Sequence, residues 1–133
     1  MKWAKAIYHL LKNDTAVDAV IDGNAFLLQS TQAIATPCVT YQLISNVPHN
    51  TKNAVSNYEV ARVQVNCYAT DTTVLASLSD AVRTALSITA RQTINSVDVQ
   101  RITYEGESTD FDDASENEGV FISVMDFIIS YVK

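Results

Sequence analysis

Hydrophobic residues recur with a helical period in the first part of the chain. Those within residues 2–12 are spaced by three or four positions, which places them on one stripe of an amphipathic helix. Asp14 or Thr15 can cap a second short helix that ends at Gly23, because a side-chain oxygen there accepts hydrogen bonds from the free amides of the first turn. Residues 25–37 combine a short apolar run with small polar residues, which predicts a brief strand followed by a loop.

Strand patterns occupy much of the rest of the chain. Residues 38–47 are rich in β-branched and aromatic side chains, and residues 58–70 alternate between apolar and polar positions. Residues 96–106 and 120–133 predict two further strands. Residues 48–57 collect Pro, Asn, Thr and Ser, so they predict a loop that is long for a hairpin and is a candidate functional arm. The apolar face predicted for the strand at residues 58–70 consists of Ala61, Val63, Val65 and Cys67.

The clearest helical pattern lies between the strands predicted at residues 58–70 and 96–106. Asp71 or Thr72 can cap it, and its apolar positions form one continuous stripe. An order of helix, short helix, strands, helix and strands is typical of an α+β fold. In that fold an N-terminal helix and one long helix would pack on one face of a largely antiparallel sheet. With 133 residues, 47% of them apolar, the chain predicts a single domain, 1–133, with one core. The apolar stripe of the long helix that Asp71 or Thr72 can cap consists of Val74, Leu75, Leu78, Ala81, Val82, Ala85 and Leu86.

The last predicted strand is apolar on both faces. One face carries Val120, Ile122, Val124, Ile128 and Val132, and the other carries Phe121, Met125, Phe127, Ile129 and Tyr131. An antiparallel strand in a monomer usually shows one face to water. Two interpretations are therefore open: a central strand with helices on one side and other structure on the other, or a contact between subunits. The candidate core or interface residues are Phe121, Met125, Phe127 and Ile129.

Acidic residues are concentrated in one segment of an otherwise nearly neutral chain. The formal net charge is −6, from 15 acidic and 9 basic residues. Seven of the acids lie between Glu105 and Glu118 with no Lys or Arg among them, which leaves eight acids and nine bases elsewhere. The scattered Lys and Arg residues form no basic patch, which argues against direct nucleic-acid binding. No segment reaches the ~20 apolar residues that span a bilayer, and the chain does not open on a signal-peptide pattern, so we expect a cytosolic protein without membrane contact.

The acidic stretch 108–119, STDFDDASENEG, raises three hypotheses: a metal site, a pair of catalytic carboxylates, or a solvated loop between the last two strands. In the calcium-loop register that begins at Asp110, Ala114 and Ser115 occupy positions where the template requires an Asp or Asn and a Gly. Catalytic carboxylates need apolar walls that move their pKa values apart, and the small polar neighbours here provide none. The solvated loop is favoured, and Gly119 is predicted to start the final strand.

Residues that could perform catalysis or bind a cofactor do not converge in the sequence. His9 lies on the polar side of the first helix and His49 in the Asn-rich loop, and neither has a partner at ligand or triad spacing. Cys38 and Cys67 lack metal-ligand spacing and are predicted to be small buried side chains. With three glycines and no Gly-rich motif, a phosphate-binding loop is not expected. We expect neither an enzymatic activity nor a metal or other cofactor.

Four segments, taken in order, carry a resemblance to a known family. They are AIYHLLKNDTAVDAVI, TPCVTYQLIS, ARVQVNCYATD and LASLSDAVRTAL. Together with the hydrophobic C-terminal strand, they resemble the tail completion proteins of tailed phages, the head-to-tail joining or tail terminator group. The most specific part is the strand ending in Tyr-Ala that leads into an alanine-rich helix. Cys38 departs from the family pattern, which often has an aromatic residue after the proline.

The resemblance implies a structural virion protein of a siphophage or prophage, without enzymatic activity. Such a protein forms a ring, usually a hexamer, that caps the head-proximal end of the tail tube and joins it to the head connector. Its expected partners are other copies of itself, the tail tube protein and the head connector or stopper protein, while DNA passes nearby without specific binding. We expect it in the virion tail, assembled in the host bacterial cytoplasm. The acidic residues that would face the lumen or a partner are Asp110, Asp112, Asp113, Glu116 and Glu118.

A small cytosolic α+β adaptor without catalytic activity is the alternative interpretation, because a similar sheet can serve in an interaction protein. The neighbouring genes would separate the two. Portal, connector and major tail genes on either side would favour the tail protein, and their absence would favour the adaptor.

Overall fold

A computed structural model of the protein describes residues 1–27, 37–48, 58–112 and 119–132. In this part of the chain, helices pack on one face of a six-stranded sheet. The helices are α1 (Lys2–Asn13), α2 (Thr15–Ile21) and α3 (Thr72–Leu86). The strands are β1 (Ala25–Leu27), β2 (Cys38–Pro48), β3 (Tyr58–Ala69), β4 (Gln92–Ile94), β5 (Val97–Asp112) and β6 (Val120–Val132).

The strand order in the sheet is β1-β2-β3-β6-β5-β4. β1 runs parallel to β2, and the other neighbouring strands are antiparallel. The α+β fold with a largely antiparallel sheet that the sequence predicts is therefore confirmed. β6 lies between β3 and β5, so it is a central strand with helices on one side. A subunit contact on its other side stays a prediction.

Capping side chains begin two of the helices, as the sequence predicts. The Oδ1 atom of Asp14 accepts a hydrogen bond from the amide of Val17 at 3.0 Å, and Asp71 accepts one at 2.7 Å in the first turn of α3. The left-handed backbone that ends α2 begins at Asp22, with φ of 50°, and continues at Gly23, with φ of 82°. Glycine adopts this conformation at no steric cost, so the chain can turn from α2 into β1 at this point.

The core lies between the helices and one face of the sheet. The predicted apolar face of β3 is fully buried, and Tyr41 of β2 is 5% exposed on the same side. Full burial of a Val, Leu, Ile, Phe or Met side chain stabilises the fold by about 1.5–3 kcal/mol. The helical residues that fill this core include Trp3, Ile7 and Leu11 of α1, and Leu75, Leu78, Val82 and Leu86 of α3.

A polar contact joins three neighbouring strands at one end of the sheet. The hydroxyl of Tyr131 in β6 donates a hydrogen bond to Glu59 in β3 at 2.8 Å and accepts one from Asn46 in β2 at 3.0 Å. Burial, together with the bond to the Glu59 carboxylate, raises the pKa of Tyr131 to about 12. The hydroxyl therefore keeps its proton at neutral pH and acts as a structural tie between strands.

The prediction that the acidic stretch is a loop is wrong for residues 108–112, which belong to β5. Asp110 pairs with Ile122, and Asp112 pairs with Val120, in the register of the β5–β6 ladder. An apolar central strand needs a hydrogen-bonding partner on both sides, and β5 provides it along nearly the whole of β6. Within this ladder the half-exposed ring of Phe111 contacts Phe121 of β6, and the side chain of Asp110 is exposed. Residues 113–118 of the predicted loop lie outside the described residues.

β4 and the turn that follows it are absent from the sequence-based prediction. Ile94 pairs with Val97, so Asn95 and Ser96 form a two-residue hairpin turn, and both have left-handed backbones, with φ of 47° and 66°. Two consecutive positive φ values are typical of a type I′ turn, whose usual sequence is Asn-Gly. Asn95 was a visible signal for this turn, but Ser96 does not complete the usual pattern.

Replacing Ser96 with glycine is expected to raise the free energy of unfolding by about 0.5–1 kcal/mol, because glycine removes the Cβ strain of the left-handed conformation. Urea denaturation followed by circular dichroism measures the change. Ser108→Gly is the matched control, since Ser108 lies in β5 with ordinary strand backbone. It is expected to lower stability by a similar amount. A loss of stability in both variants would contradict the turn assignment.

Candidate functional site: a groove beside the acidic strand

The four candidate residues of the last strand occupy two kinds of environment. Met125, Phe127 and Ile129 are fully buried beneath the helices in the single chain. Phe121 is partly buried and packs against Phe111 of β5, with ring centroids 4.7 Å apart. Of the four, Phe121 is the one that lies close to the surface.

The acidic candidates are divided between strand and undescribed chain. Asp110 is exposed on β5, and Asp112 is the last residue of that strand. Asp113, Glu116 and Glu118 lie outside the described residues. β4 pairs with the first residues of β5, and an isolated bridge joins Ile88 to Ile102. Beyond that bridge the outer edge of β5 has no strand partner among the residues that the structure describes.

A groove of about 590 Å³ opens between the first half of α3 and the paired strands β5 and β6. Leu75, Phe111 and Phe121 give it an apolar surface. Phe111 is 49% exposed, which is high for an aromatic side chain and places it at the mouth of the groove. The residues that line the groove are Thr72, Leu75, Ala76, Ser79, Asp80, Glu107, Thr109, Asp110, Phe111, Phe121 and Ser123.

Gly119 allows the ring of Phe111 to take this position. A Cβ atom at residue 119 would overlap the far edge of the Phe111 ring. The glycine therefore permits a close approach of ring and backbone at the mouth of the groove. β6 begins one residue later, at Val120, so Gly119 directly precedes the final strand instead of starting it.

Three acidic residues line the groove: Asp80 of α3, and Glu107 and Asp110 of β5. The hydroxyl of Ser123, which is 1% exposed, donates a hydrogen bond to a Glu107 carboxylate oxygen at 2.7 Å. This bond holds the Glu107 carboxylate beside Ser123, which also lines the groove. The lining residues include no Lys or Arg, so the groove combines an apolar surface with negative charge.

Neither cysteine is a reactive group at this site. Cys38 and Cys67 are free and buried, which confirms the structural role predicted for them. Burial raises the pKa of the Cys38 thiol to about 11. Burial also raises the pKa of the Cys67 thiol, the negative charge of Glu107 adds to that effect, and a hydrogen bond with Ser79 opposes it. Both thiols therefore stay protonated at neutral pH, and a protonated thiol is a poor nucleophile.

Other chemical features of the described residues are few. His9 lies on α1 and contacts the side-chain amide of Asn13 at 3.3 Å, while His49 lies outside the described part. No group of three or more His, Cys, Asp and Glu side chains in the described ranges could hold a metal ion. Among the described helices, none is long and apolar enough to cross a membrane.

The opposite edge of the sheet has a different character. β1 pairs with residues 39–41 of β2, and the rest of β2 extends beyond that pairing. Three large apolar side chains are exposed on this extension: Leu43, Ile44 and Val47. A bulge between Leu43 and Ser45 interrupts the alternation that the sequence predicts for β2. The candidate arm, predicted at 48–57, begins within β2 at Pro48, and the rest of it lies outside the described residues.

A family model identifies the family from the sequence, and solved structures show the same fold. The sequence matches the family model described as "Tail completion protein gp17" over residues 5–129. A chain from the solved structure "Virion of native gene transfer agent (GTA) particle" has the same fold, with a TM-score of 0.71 and 12% identity over 95% of this chain and 92% of that chain. A second solved structure has a TM-score of 0.51 and 9% identity over 92% of this chain and 88% of that chain. The curated proteins contain no significant match. Because the family model spans nearly the whole sequence, the chain belongs to the tail completion protein gp17 family, and it is a structural protein of a phage-type tail.

Proposed function

We propose that the protein forms a ring of six copies that closes the head-proximal end of a phage tail tube and joins the tube to the head connector. The observation that carries this proposal is the match to the tail completion family over residues 5–129. The same match argues against the alternative of a cytosolic adaptor. On this proposal the protein assembles in the host cytoplasm with the tail tube protein and the connector or stopper protein.

The two edges of the sheet support this role, because a ring subunit needs surfaces for at least two neighbours. The groove beside β5 combines exposed aromatic surface with carboxylates. The far part of β2 presents Leu43, Ile44 and Val47 to solvent, and exposed apolar residues at a sheet edge are typical of protein contacts. These surfaces lie toward opposite edges of one sheet, so a single subunit can contact different neighbours at once.

The acidic end of β5 gives the proposed ring an electrostatic role. If Asp110 and the acids after it face the lumen, repeated carboxylates would repel DNA phosphates and keep the channel from binding its cargo. If they face outward, they would meet a basic surface on the connector or the tube. Six copies would multiply either effect.

Tails assembled without the protein test the proposed function. We expect tubes of irregular length that are not joined to heads, because a tube without its terminating ring has no fixed end and no surface for the connector. Electron microscopy of lysates measures tube length and joining. Expression of the wild-type chain should restore both, and Thr84→Ala, at an exposed position of α3, should restore them equally well. Tubes of normal length joined to heads in the absence of the protein would contradict the proposal.

A further inference from the structure

The first turn of α1 carries positive charge without compensation. Lys2 and Lys5 are exposed, the first turn contains no acidic residue, and no side chain caps the helix. The amino end of a helix already has a partial positive charge, so cations there are unfavourable unless an anion approaches. Met1 is 75% exposed beside these lysines. This end of α1 therefore presents an apolar side chain next to two cations.

The groove beside β5 has the complementary chemistry. Its apolar surface is formed by Leu75, Phe111 and Phe121, and Asp80 and Glu107 are among its acidic residues. Neither lysine of the first turn of α1 forms a salt bridge within the described chain, where the ion pair that occurs is Arg91–Asp98. The lysines of α1 and the acidic residues of the groove therefore both lack a salt-bridge partner within the described part of one chain.

The strand register places these two features apart on the same face of the sheet. Trp3 packs edge-on against Tyr41 of β2, with ring centroids 6.4 Å apart, which locates the first turn of α1 near that strand. Tyr41 pairs with Val65, Val65 with Met125, and Met125 with Glu107. Glu107 therefore lies in the same row as Tyr41, three strands away, or about 14 Å at the usual spacing of neighbouring strands.

We propose that, in the assembled ring, the first turn of α1 of one subunit docks in the groove between α3 and the β5–β6 pair of the next subunit. Met1 contacts the apolar surface, and Lys2 and Lys5 pair with Asp80 and Glu107. This inference rests on the proposed ring and names the contact that orients its subunits. The contact is head-to-tail, and a head-to-tail contact closes a ring when the rotation from one subunit to the next divides a full turn evenly.

The docked turn is too small a contact to hold the ring together by itself. A stable interface buries roughly 800 Å² on each partner, and one helical turn in a groove covers less than that. The docked turn therefore supplies orientation and charge complementarity, while the tube and the other subunit surfaces supply the remaining area.

Charge reversal with rescue tests the proposal. The double variant Lys2→Glu/Lys5→Glu and the double variant Asp80→Lys/Glu107→Lys are each expected to reduce the fraction of tails that carry the ring by about tenfold, because like charges then face each other. The four substitutions combined should restore the fraction to within about threefold of wild type, since the pairs re-form with opposite sign. Lys12→Glu, at the other end of α1, and Asp18→Lys, exposed on α2, are matched controls that should leave the fraction unchanged. Circular dichroism confirms that each variant is folded.

A cysteine cross-link gives an independent measurement of the same contact. Lys2→Cys and Ala76→Cys are made in separate chains, since Ala76 is exposed and lines the groove. Native Cys38 and Cys67 are buried. Mixing the two variants on tails under mild oxidation should give a disulfide-linked dimer of one copy of each. Either variant alone should give at least about tenfold less dimer, because its single new thiol has no partner within reach.

The outcomes separate this inference from the proposed function. Charge-reversed variants that terminate tails normally, a combined variant that folds but is not rescued, or the absence of the mixed dimer would each overturn the docking proposal. Each of these results leaves the ring function standing. Normal tails in the complete absence of the protein would instead overturn the function, and the docking proposal with it.

Discussion

Replacing Phe127 with alanine is expected to lower the free energy of unfolding by about 3–5 kcal/mol. Phe127 is fully buried in the central strand β6, and its ring meets that of Tyr104 edge-on, with centroids 5.7 Å apart. The guanidinium of Arg83 lies over the Tyr104 ring, 4.0 Å from its centroid. Domains of this size are stable by about 5–15 kcal/mol, so the variant would lose a large share of its total stability.

Urea denaturation followed by circular dichroism measures this loss. Phe111→Ala is the matched control, because Phe111 is also an aromatic residue of the β5–β6 pair but is 49% exposed. Its truncation is expected to cost about 1 kcal/mol, since the side chain gives up little buried area. Equal losses in the two variants would contradict the assignment of Phe127 to the core and Phe111 to the mouth of the groove.

Neutralising the acidic segment is expected to leave the domain folded and to impair infection. In the variant with five substitutions, the aspartates become asparagine and the glutamates become glutamine, so the formal charge rises by five from −6 while side-chain size is nearly unchanged. Removing repulsion between like charges should leave the melting temperature unchanged or slightly higher. Plaque formation should fall, because the electrostatic role proposed for these residues depends on their charge. The substituted residues are Asp110, Asp112, Asp113, Glu116 and Glu118.

A smaller pair of variants gives the matched comparison. Asp110→Asn/Asp112→Asn changes the charge of the acidic strand by two, and Asp18→Asn/Asp22→Asn makes the same change on and just after α2, where Asn tolerates the left-handed backbone of residue 22. Infection should fall in the first variant and stay normal in the second. Particles that are joined but fail to deliver DNA would favour a lumenal position for the strand, and unjoined tails would favour a partner contact. Wild-type infectivity of the five-residue variant would contradict both.

The elements that sequence patterns predicted well are those whose burial has a single clear period. α3 and β3 each bury one face, so the repeats of 3.6 and 2 in their sequences identify the buried residues directly. Asp14 and Asp71 were also recognisable, because a helix cap depends on neighbours within three residues. Interactions of this kind join residues that are close in the chain, so the local sequence predicts them.

The features that the sequence did not reveal depend on partners far away in the chain. β5 continues through Asp110 because β6 pairs with it, although local composition there favours a loop. β1 has three residues, and its parallel pairing with β2 cannot be read from so short a run. The groove combines α3 with β5 and β6, so it exists only after those elements pack. Its signal in the sequence was limited to Phe111, a lone aromatic residue among acids.

The position of β6 in the sheet has a consequence for how the chain folds during synthesis. β6 lies between β3 and β5 in the sheet, so these two strands are joined only when β6 pairs with both. β6 is also the last of the described strands to leave the ribosome. Until then, the apolar faces of β3 and α3 lack the strand against which they pack, and exposed apolar surface of this kind promotes aggregation and chaperone binding. Folding should therefore be delayed until β6 is free. Ribosome-bound chains arrested before residue 120 should be captured by chaperones, whereas released chains should escape them.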